Sequence, residues 1–563
     1  MPRLLRLAAS AALLVSLATL AARLFGFIRW IVFSPTVGAG AVGTAYQSAN
    51  QVPNILYEVV AGGALAGAVV PLLAAPLAAR ARAGGDAETA SRIASALLTW
   101  SVTLTLPLAV LVAVLREPLA AALAPADSPE AAGLIAGFLL VFAPQLVLYG
   151  IGGVLTGVLQ AHRRFLWPAF MPLVSSVVVI GVYAGYAQMR GPGAEAGGDA
   201  LALLAWGTTA GVAAMTLPLA LPVRGTGIRV RPTWRFPEGV AHRAVRLAAA
   251  GMSVLLAQQA ATLVIMLVSN RVGGSGVFVV FGYVQAVYLL PYAVLAVPVA
   301  TVAFPKLAAL VAERTESAPE RAEAGGTEAE PDADAATDAF IAGTTRLVVL
   351  LGCAGAAVLA AAAAPLQTFF SVLDVARAES AASLSALGLT VLLIAAAVPG
   401  WCLMAWGTRV FYALERSRHA TAAAVIGWSL VALAVLAAVP FIAADPARQT
   451  LVALGLAHAV GMSAAGISLL VGIARVRGRA ALAGLGRTLV VGLAGAAAGG
   501  AAGFLTAQLA ASGLTALLSG LSPHPAVVAV LAGVCAGLVG LTVVVLTAFA
   551  ADRRALMQVK QLR

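Results

Sequence analysis

Apolar runs long enough to cross a bilayer recur in this chain from about residue 8 to about residue 550. A spanning helix needs about 20 predominantly apolar residues, and such runs return throughout the 563 residues. Backbone groups in lipid must be satisfied internally, which leaves helices or a closed barrel. The runs are continuous rather than alternating, and this argues against a barrel. Only 10% of the residues are charged, against about 25% in a soluble chain. The expected fold is an all-α polytopic membrane protein.

About fourteen spans are predicted by length and hydropathy. They lie near 8–33, 41–78, 91–115, 132–160, 167–188, 200–222, 244–270, 277–311, 341–368, 385–413, 419–442, 449–474, 486–510 and 524–550. The second and eighth are too long for a simple crossing. The N-terminus carries Arg3 and Arg6 before an apolar stretch, as a signal peptide would. More membrane follows it, so it is read as an uncleaved first span.

The formal net charge of +12 is accounted for by topology, and no nucleic-acid partner is expected. Arg80, Arg82, Arg163, Arg164, Arg224, Arg229, Arg231, Arg235, Arg243, Arg416, Arg418, Arg475, Arg477, Arg479, Arg553, Arg554 and Lys560 fall on one side, with Arg3 and Arg6. The other side holds Arg116, Arg190, Arg271, Arg377 and Arg448. By the positive-inside rule the crowded side is cytoplasmic. Both termini are then inside, which agrees with an even number of spans. Cys353, Cys402 and Cys535 sit in apolar runs without metal or redox spacing and read as small core residues. Residues 313–338 are acidic and rich in Ala, Gly and Pro, which favours a disordered, solvated cytoplasmic loop.

A faint internal repeat is visible. GVLQAHRRFLWPA after span four resembles RVFYALERSRHAT after span ten. Spans two and eight each carry a Tyr, a Gln, a mid-span Pro and a closing Pro. The offset is about 240–250 residues, or six spans, as in a parallel repeat about an axis along the membrane normal. The expected organisation is two pseudo-symmetric six-helix lobes, 1–225 and 226–480. Spans thirteen and fourteen and a basic tail, 481–563, follow.

Charges inside the first two spans are the functional signal. A charge at the bilayer centre costs about 2.5–3.5 kcal/mol on insertion scales, yet Arg23, Arg29 and Glu58 lie there. In a helix Gln47, Asn50, Gln51, Asn54 and Glu58 follow i, i+3, i+4, i+7 and i+11 and share one face. Such a stripe either lines a cavity or holds helices together as polar glue. Arg23 and Arg29 do not share one face of a straight helix, and Gly26 between them would permit a bend. An arginine fork matches phosphate oxygens, so a diphosphate ligand would use both. For Arg29 the alternatives are snorkelling or a pair with Glu58. Pro53 removes a backbone donor in mid-stripe. Gly62, Gly63 and Gly67 after it suit close packing or a hinge. The second half is nearly neutral inside, with Gln258, Gln259 and Gln285, and Arg409 near a cytoplasmic helix end. There is no nucleotide-binding loop, metal cluster or acidic pair. The chain is therefore read as no enzyme, with no cofactor. Transport would draw on an ion gradient or on the membrane potential, worth about 2.3 kcal/mol per charge per 100 mV.

RLFGFIR, a GAG turn and ANQVPNILYEVVAGGALAGAVVP resemble the opening of the MurJ/MviN lipid II flippases, within the multidrug/oligosaccharidyl-lipid/polysaccharide exporter superfamily. QAHRRFLWPAFMP and TRVFYALERSR resemble that family's later motifs. The resemblance runs from about residue 8 to about residue 480 and looks actinobacterial. It implies a flippase of the cell membrane that moves an undecaprenyl-diphosphate-linked peptidoglycan precursor, with membrane lipids and cell-wall synthesis proteins as partners. It places Arg23, Gly26 and Arg29 in the span-one motif, with the arginines facing the diphosphate, and Pro53 and Asn54 in the span-two motif. The sequence departs from the pattern at Thr44 (acidic in the family), Tyr57 (basic), Gly62 (a glutamate) and Gln285–Ala286 (an arginine). Two other readings stand beside it. One is an exporter of another lipid-linked glycan or of drugs. The other is a non-transporting scaffold for cell-wall synthesis.

Overall fold

A computed structural model describes residues 2–59, 69–74, 77, 87–128, 130–191, 196–323, 331–517, 523–553 and 557. Among these residues the ordered structure is helical, as the apolar runs require. The longer helices are α1 (Pro2–Thr36), α2 (Ala41–Tyr57), α3 (Ala87–Val114), α4 (Arg116–Leu123), α5 (Ala131–Phe142), α6 (Gln145–Ala161), α7 (Leu166–Arg190), α8 (Gly198–Thr216) and α9 (Val240–Val268). They continue with α10 (Val277–Pro291), α11 (Val297–Glu323), α12 (Pro331–Leu373), α13 (Leu387–Ala395), α14 (Val398–Ala413), α15 (Ser417–Ala438), α16 (Pro446–Arg477), α17 (Leu485–Leu517) and α18 (Pro525–Ala551).

Among the described residues 11 helices are long and apolar enough to cross a membrane, and 13 if each of two bent pairs is one span. These match the predicted spans except 41–78. That one opens with α2 and then enters residues 60–68, outside the described set. Gly62, Gly63 and Gly67 lie there too.

The chain divides into two compact units. One is Met1–Val279 with Asp374–Ser380, and the other is Val280–Leu373 with Ala381–Arg563. This division follows contacts, whereas the 1–225 and 226–480 lobes follow the repeat.

Local geometry recurs between the halves. In the first unit α5 and α6 form one broken span bent by 40°. In the second, α13 and α14 form another, bent by 42°. Both broken spans end alike. Arg163 (φ 58) and Glu415 (φ 56) adopt the left-handed conformation at the helix ends. Arg164 N donates to Leu159 O at 2.8 Å, and Arg416 N donates to Phe411 O at 2.8 Å. This is the Schellman pattern, which returns orphan helix carbonyls to N–H donors. It is built twice in the two segments whose sequences resemble each other. A π-helical turn also follows the mid-span proline in each half, at Glu58–Val59 after Pro53 and at Tyr292–Ala296 after Pro291. A proline that removes an i→i−4 bond invites such a local widening.

In the second unit α17 and α18 pack on α12 through small residues. A Cβ on Gly499 would stand 2.6 Å from the Gly540 carbonyl oxygen, and one on Gly503 would stand 2.7 Å from Ala536 O. Close backbone approach of this kind replaces the hydrophobic driving force that lipid does not supply.

Three expectations are corrected. Residues 313–338 are not irregular throughout: α11 continues to Glu323 and α12 opens at Pro331, while 324–330 lie outside the described residues. Ala and Glu are strong helix formers, and Arg477 holds the start of α12 by ion pairs to Asp334 (3.0 Å) and Asp338 (2.7 Å). Cys535 is exposed, whereas Cys353 and Cys402 are buried. Finally, α1 runs unbroken through Gly26.

Candidate functional site

The connection between α1 and α2 fixes where the polar stripe points. Gly38 takes φ +77, and a Cβ there would stand 2.8 Å from Asp374 Oδ1. Asp374 is buried. Its carboxylate accepts from Ser34 Oγ (3.2 Å), Ala39 N (3.1 Å) and Ala376 N (2.9 Å). Glu379 accepts from Ala41 N at 3.2 Å. Glu379 thus meets the first N–H of α2, where a helix N-terminus favours negative charge, while Asp374 holds the turn just before it. On the other flank Thr44 Oγ1 accepts from Gly276 N at 2.8 Å and donates to Gly40 O at 2.9 Å. Asn270 Nδ2 donates to Ser48 Oγ at 2.7 Å and to Leu123 O at 2.8 Å.

Tyr46 sets the rotation of the helix. Its hydroxyl meets Tyr183 Oη at 3.1 Å and Thr208 Oγ1 at 2.9 Å. Its ring sits edge-on to Phe138 and Phe142. With Tyr46, Ala49 and Pro53 buried on the side packed against α5, α7 and α8, the stripe residues fall on the other face. Gln47, Asn50, Gln51, Asn54 and Glu58 are all half-buried. Among the described residues no side chain of Gln47, Asn50, Asn54 or Glu58 makes a hydrogen bond or ion pair. Polar glue would show them bonded to neighbouring helices, and among the described residues no such bond is made.

Arg29 is half-buried and Arg23 exposed. Neither has a hydrogen-bond or ion-pair partner among the described residues, and Arg29 is not paired with Glu58. Arg29 lies close enough to act electrostatically on Tyr46, Tyr149 and Tyr183. A guanidinium fork without an anion among the described residues is suited to a phosphate-bearing ligand. In the second unit Arg409 bonds instead to Ala405 O (2.6 Å) and Thr301 Oγ1 (3.3 Å).

The sequence model of a family described as "Lipid II flippase MurJ" matches residues 33–549. The chain belongs to the MurJ family. A probable lipid II flippase MurJ of Rhizobium meliloti (strain 1021) is 25% identical over 213 residues, 38% of this chain and 39% of that protein. The chain therefore spans about two fifths of the length of the curated relative it matches. A solved lipid II flippase MurJ in an inward closed conformation superposes with TM-score 0.61 at 16% identity, covering 98% of this chain and 100% of that one. An inward-facing multidrug resistance transporter of the MATE family in the MOP superfamily gives TM-score 0.59 at 14% identity, covering 82% and 98%. At these identities the two structures speak for the fold alone.

Sequence reasoning missed Asp374, Glu379, Asn270 and Tyr149. The two carboxylates act on backbone more than 330 positions away, and no local spacing marks them. Thr44 stands at the position that is acidic in the family pattern, and here its hydroxyl is taken up in pinning α2.

Proposed function

We propose that this protein is a lipid II flippase, moving the undecaprenyl-diphosphate-linked peptidoglycan precursor from the inner to the outer leaflet by alternating access. The observation that carries the reading is a half-buried Arg29 with no ion-pair partner among the described residues, together with an α2 stripe whose side chains bond to none of them, in a chain of the MurJ family. Arg29, with Arg23, holds the diphosphate. Gln47, Asn50 and Asn54 hydrogen-bond the headgroup, and Glu58 ends the stripe at the π-turn. Pro53, Gly62 and Gly63 serve as points of bending. Both termini are cytoplasmic, and the energy comes from an ion gradient or the membrane potential.

The prenyl tail is assigned to apolar grooves along α12, α17 and α18. One of about 510 Å³ is lined by Pro365, Ala507, Ala511 and Pro525. Another of about 460 Å³ is lined by Ala363, Leu392, Gly500 and Phe504.

Export of a different lipid-linked glycan is the second reading. Tyr57 favours it, standing where the family pattern has a basic residue. Cells depleted of this protein should stop presenting labelled lipid II at the outer surface, and wild-type protein should restore it. Unchanged presentation on depletion rejects the flippase reading. Lipid II binding weaker than that of another polyprenyl-diphosphate glycan selects the second one.

A further inference from the structure

Two tyrosines beside the stripe are treated differently from the rest. In the first unit Tyr46 and Tyr183 bond to each other, and the Tyr186 hydroxyl is buried without a partner. Tyr57, the last residue of α2, and Tyr149, in α6, lie with ring centroids 4.9 Å apart and planes inclined by 32°. Both are half-buried. Neither hydroxyl has a hydrogen-bond partner among the described residues, and neither is sealed from solvent as that of Tyr186 is. The Tyr57 hydroxyl end lies over Gly153, one turn beyond Tyr149, where a Cβ would stand 3.6 Å from it, an ordinary contact. Tyr57 follows Asn54 by three positions and Pro53 by four, so it stands at the edge between the stripe and the packed face, with its ring against the apolar core around Val154 and Val158. Arg29 acts electrostatically on Tyr149.

This pair therefore offers two aromatic rings and two hydroxyls without hydrogen-bond partners among the described residues, one turn from the Asn54 amide and within electrostatic reach of Arg29. A prenyl chain would leave the hydroxyls and amides unsatisfied, at a cost. A phosphate alone has no use for the rings. A pyranose has an apolar C–H face to lay on a ring and equatorial hydroxyls to bond at its edge. Tyrosine serves both needs with one apolar body and one polar tip.

We propose that Tyr57 and Tyr149 form a sugar-stacking subsite for the hexose next to the diphosphate of the transported lipid. This rests on the flippase reading and assigns the glycan end of the same site. The pair sorts lipids by whether a sugar follows the diphosphate, while Arg29 is indifferent to it.

The test is equilibrium binding to the full-length protein in nanodiscs, with lipid II and undecaprenyl diphosphate as probes. The two share the tail and diphosphate and differ by the sugars. Tyr57→Leu and Tyr149→Leu should each weaken lipid II binding by about tenfold and leave undecaprenyl diphosphate binding within about twofold. Retained diphosphate binding also shows that the variants are folded. Tyr57→Phe and Tyr149→Phe should keep lipid II binding within about threefold, because the stacking face survives. Equal loss for both lipids in the leucine variants, or loss for neither, overturns the subsite and leaves the flippase reading standing. Wild-type protein that binds lipid II no better than a third probe, undecaprenyl monophosphate, which lacks both the sugars and the diphosphate, rejects the flippase reading itself and the subsite with it.

Discussion

Arg29 in the first unit and Arg346 in the second are both arginines inside span-length helices, and the fold treats them in opposite ways. Arg346 is nearly enclosed by partners. It pairs with Asp552 and donates from Nε to Thr488 Oγ1 at 2.9 Å, and Thr488 in turn bonds Asp552. That cluster joins α12 to α17 and to the residue that ends α18. Arg477 is matched in the same way by Asp334 and Asp338. Arg29 has three tyrosines, Tyr46, Tyr149 and Tyr183, within electrostatic reach and no anion paired with it among the described residues. The two units share bent spans, left-handed helix ends and π-turns after proline, so architecture does not account for the contrast. Cations with protein anions hold helices together.

The comparison can be broken most forcefully at its structural end. Asp552→Ala leaves Arg346 without its counter-charge and should cost about 3–5 kcal/mol, read as a large fall in melting temperature in detergent. Arg346→Met in the same protein should recover much of it. A melting temperature unchanged by Asp552→Ala would mean that the paired charges contribute as little as surface pairs do.

A smaller effect is expected where α2 begins. Asp374→Ala strips an acceptor from Ser34 Oγ and the Ala39 and Ala376 amides, a loss of about 2 kcal/mol if those donors stay buried. Asp374→Asn keeps one acceptor oxygen and should lose about half of that. Equal losses would place the effect in the charge at the helix terminus rather than in the hydrogen bonds.

The stripe should show the smallest stability effect and a separate functional one. Gln47→Leu and Asn50→Leu remove groups that bond to nothing in the protein, so stability should stay within about 0.5 kcal/mol. Lipid II binding should fall by about three- to tenfold, the worth of one hydrogen bond. Stability losses near 1 kcal/mol with intact binding would restore the glue reading.

Much of this was legible in the sequence, for a physical reason. Lipid forces helices, and helices have a fixed period, so the spans and the shared face of Gln47, Asn50, Asn54 and Glu58 follow from spacing alone. The repeat was visible at Arg163–Arg164 and Glu415–Arg416, where the structure shows the same helix ending twice. Legibility fails where distant segments meet. Nothing around Asp374 announces that its carboxylate receives the Ala39 amide. Nothing around Tyr149 announces Tyr57. It also fails where one composition serves two states. The acidic, alanine-rich stretch reads as solvated chain, but its described ends are helical because alanine and glutamate favour helix and Arg477 anchors Asp334 and Asp338.

The central claim, that Arg29 is left unpaired for the lipid diphosphate, is tested most directly by measuring surface-accessible lipid II in cells whose sole copy is Arg29→Ala, with the melting temperature of the same variant. The account predicts a loss of export of about 10–100-fold with the melting temperature at or above that of wild type, and partial rescue by Arg29→Lys, which keeps the charge but not the fork. Full export by Arg29→Ala, or a fall in melting temperature as large as that of Asp552→Ala, would contradict it.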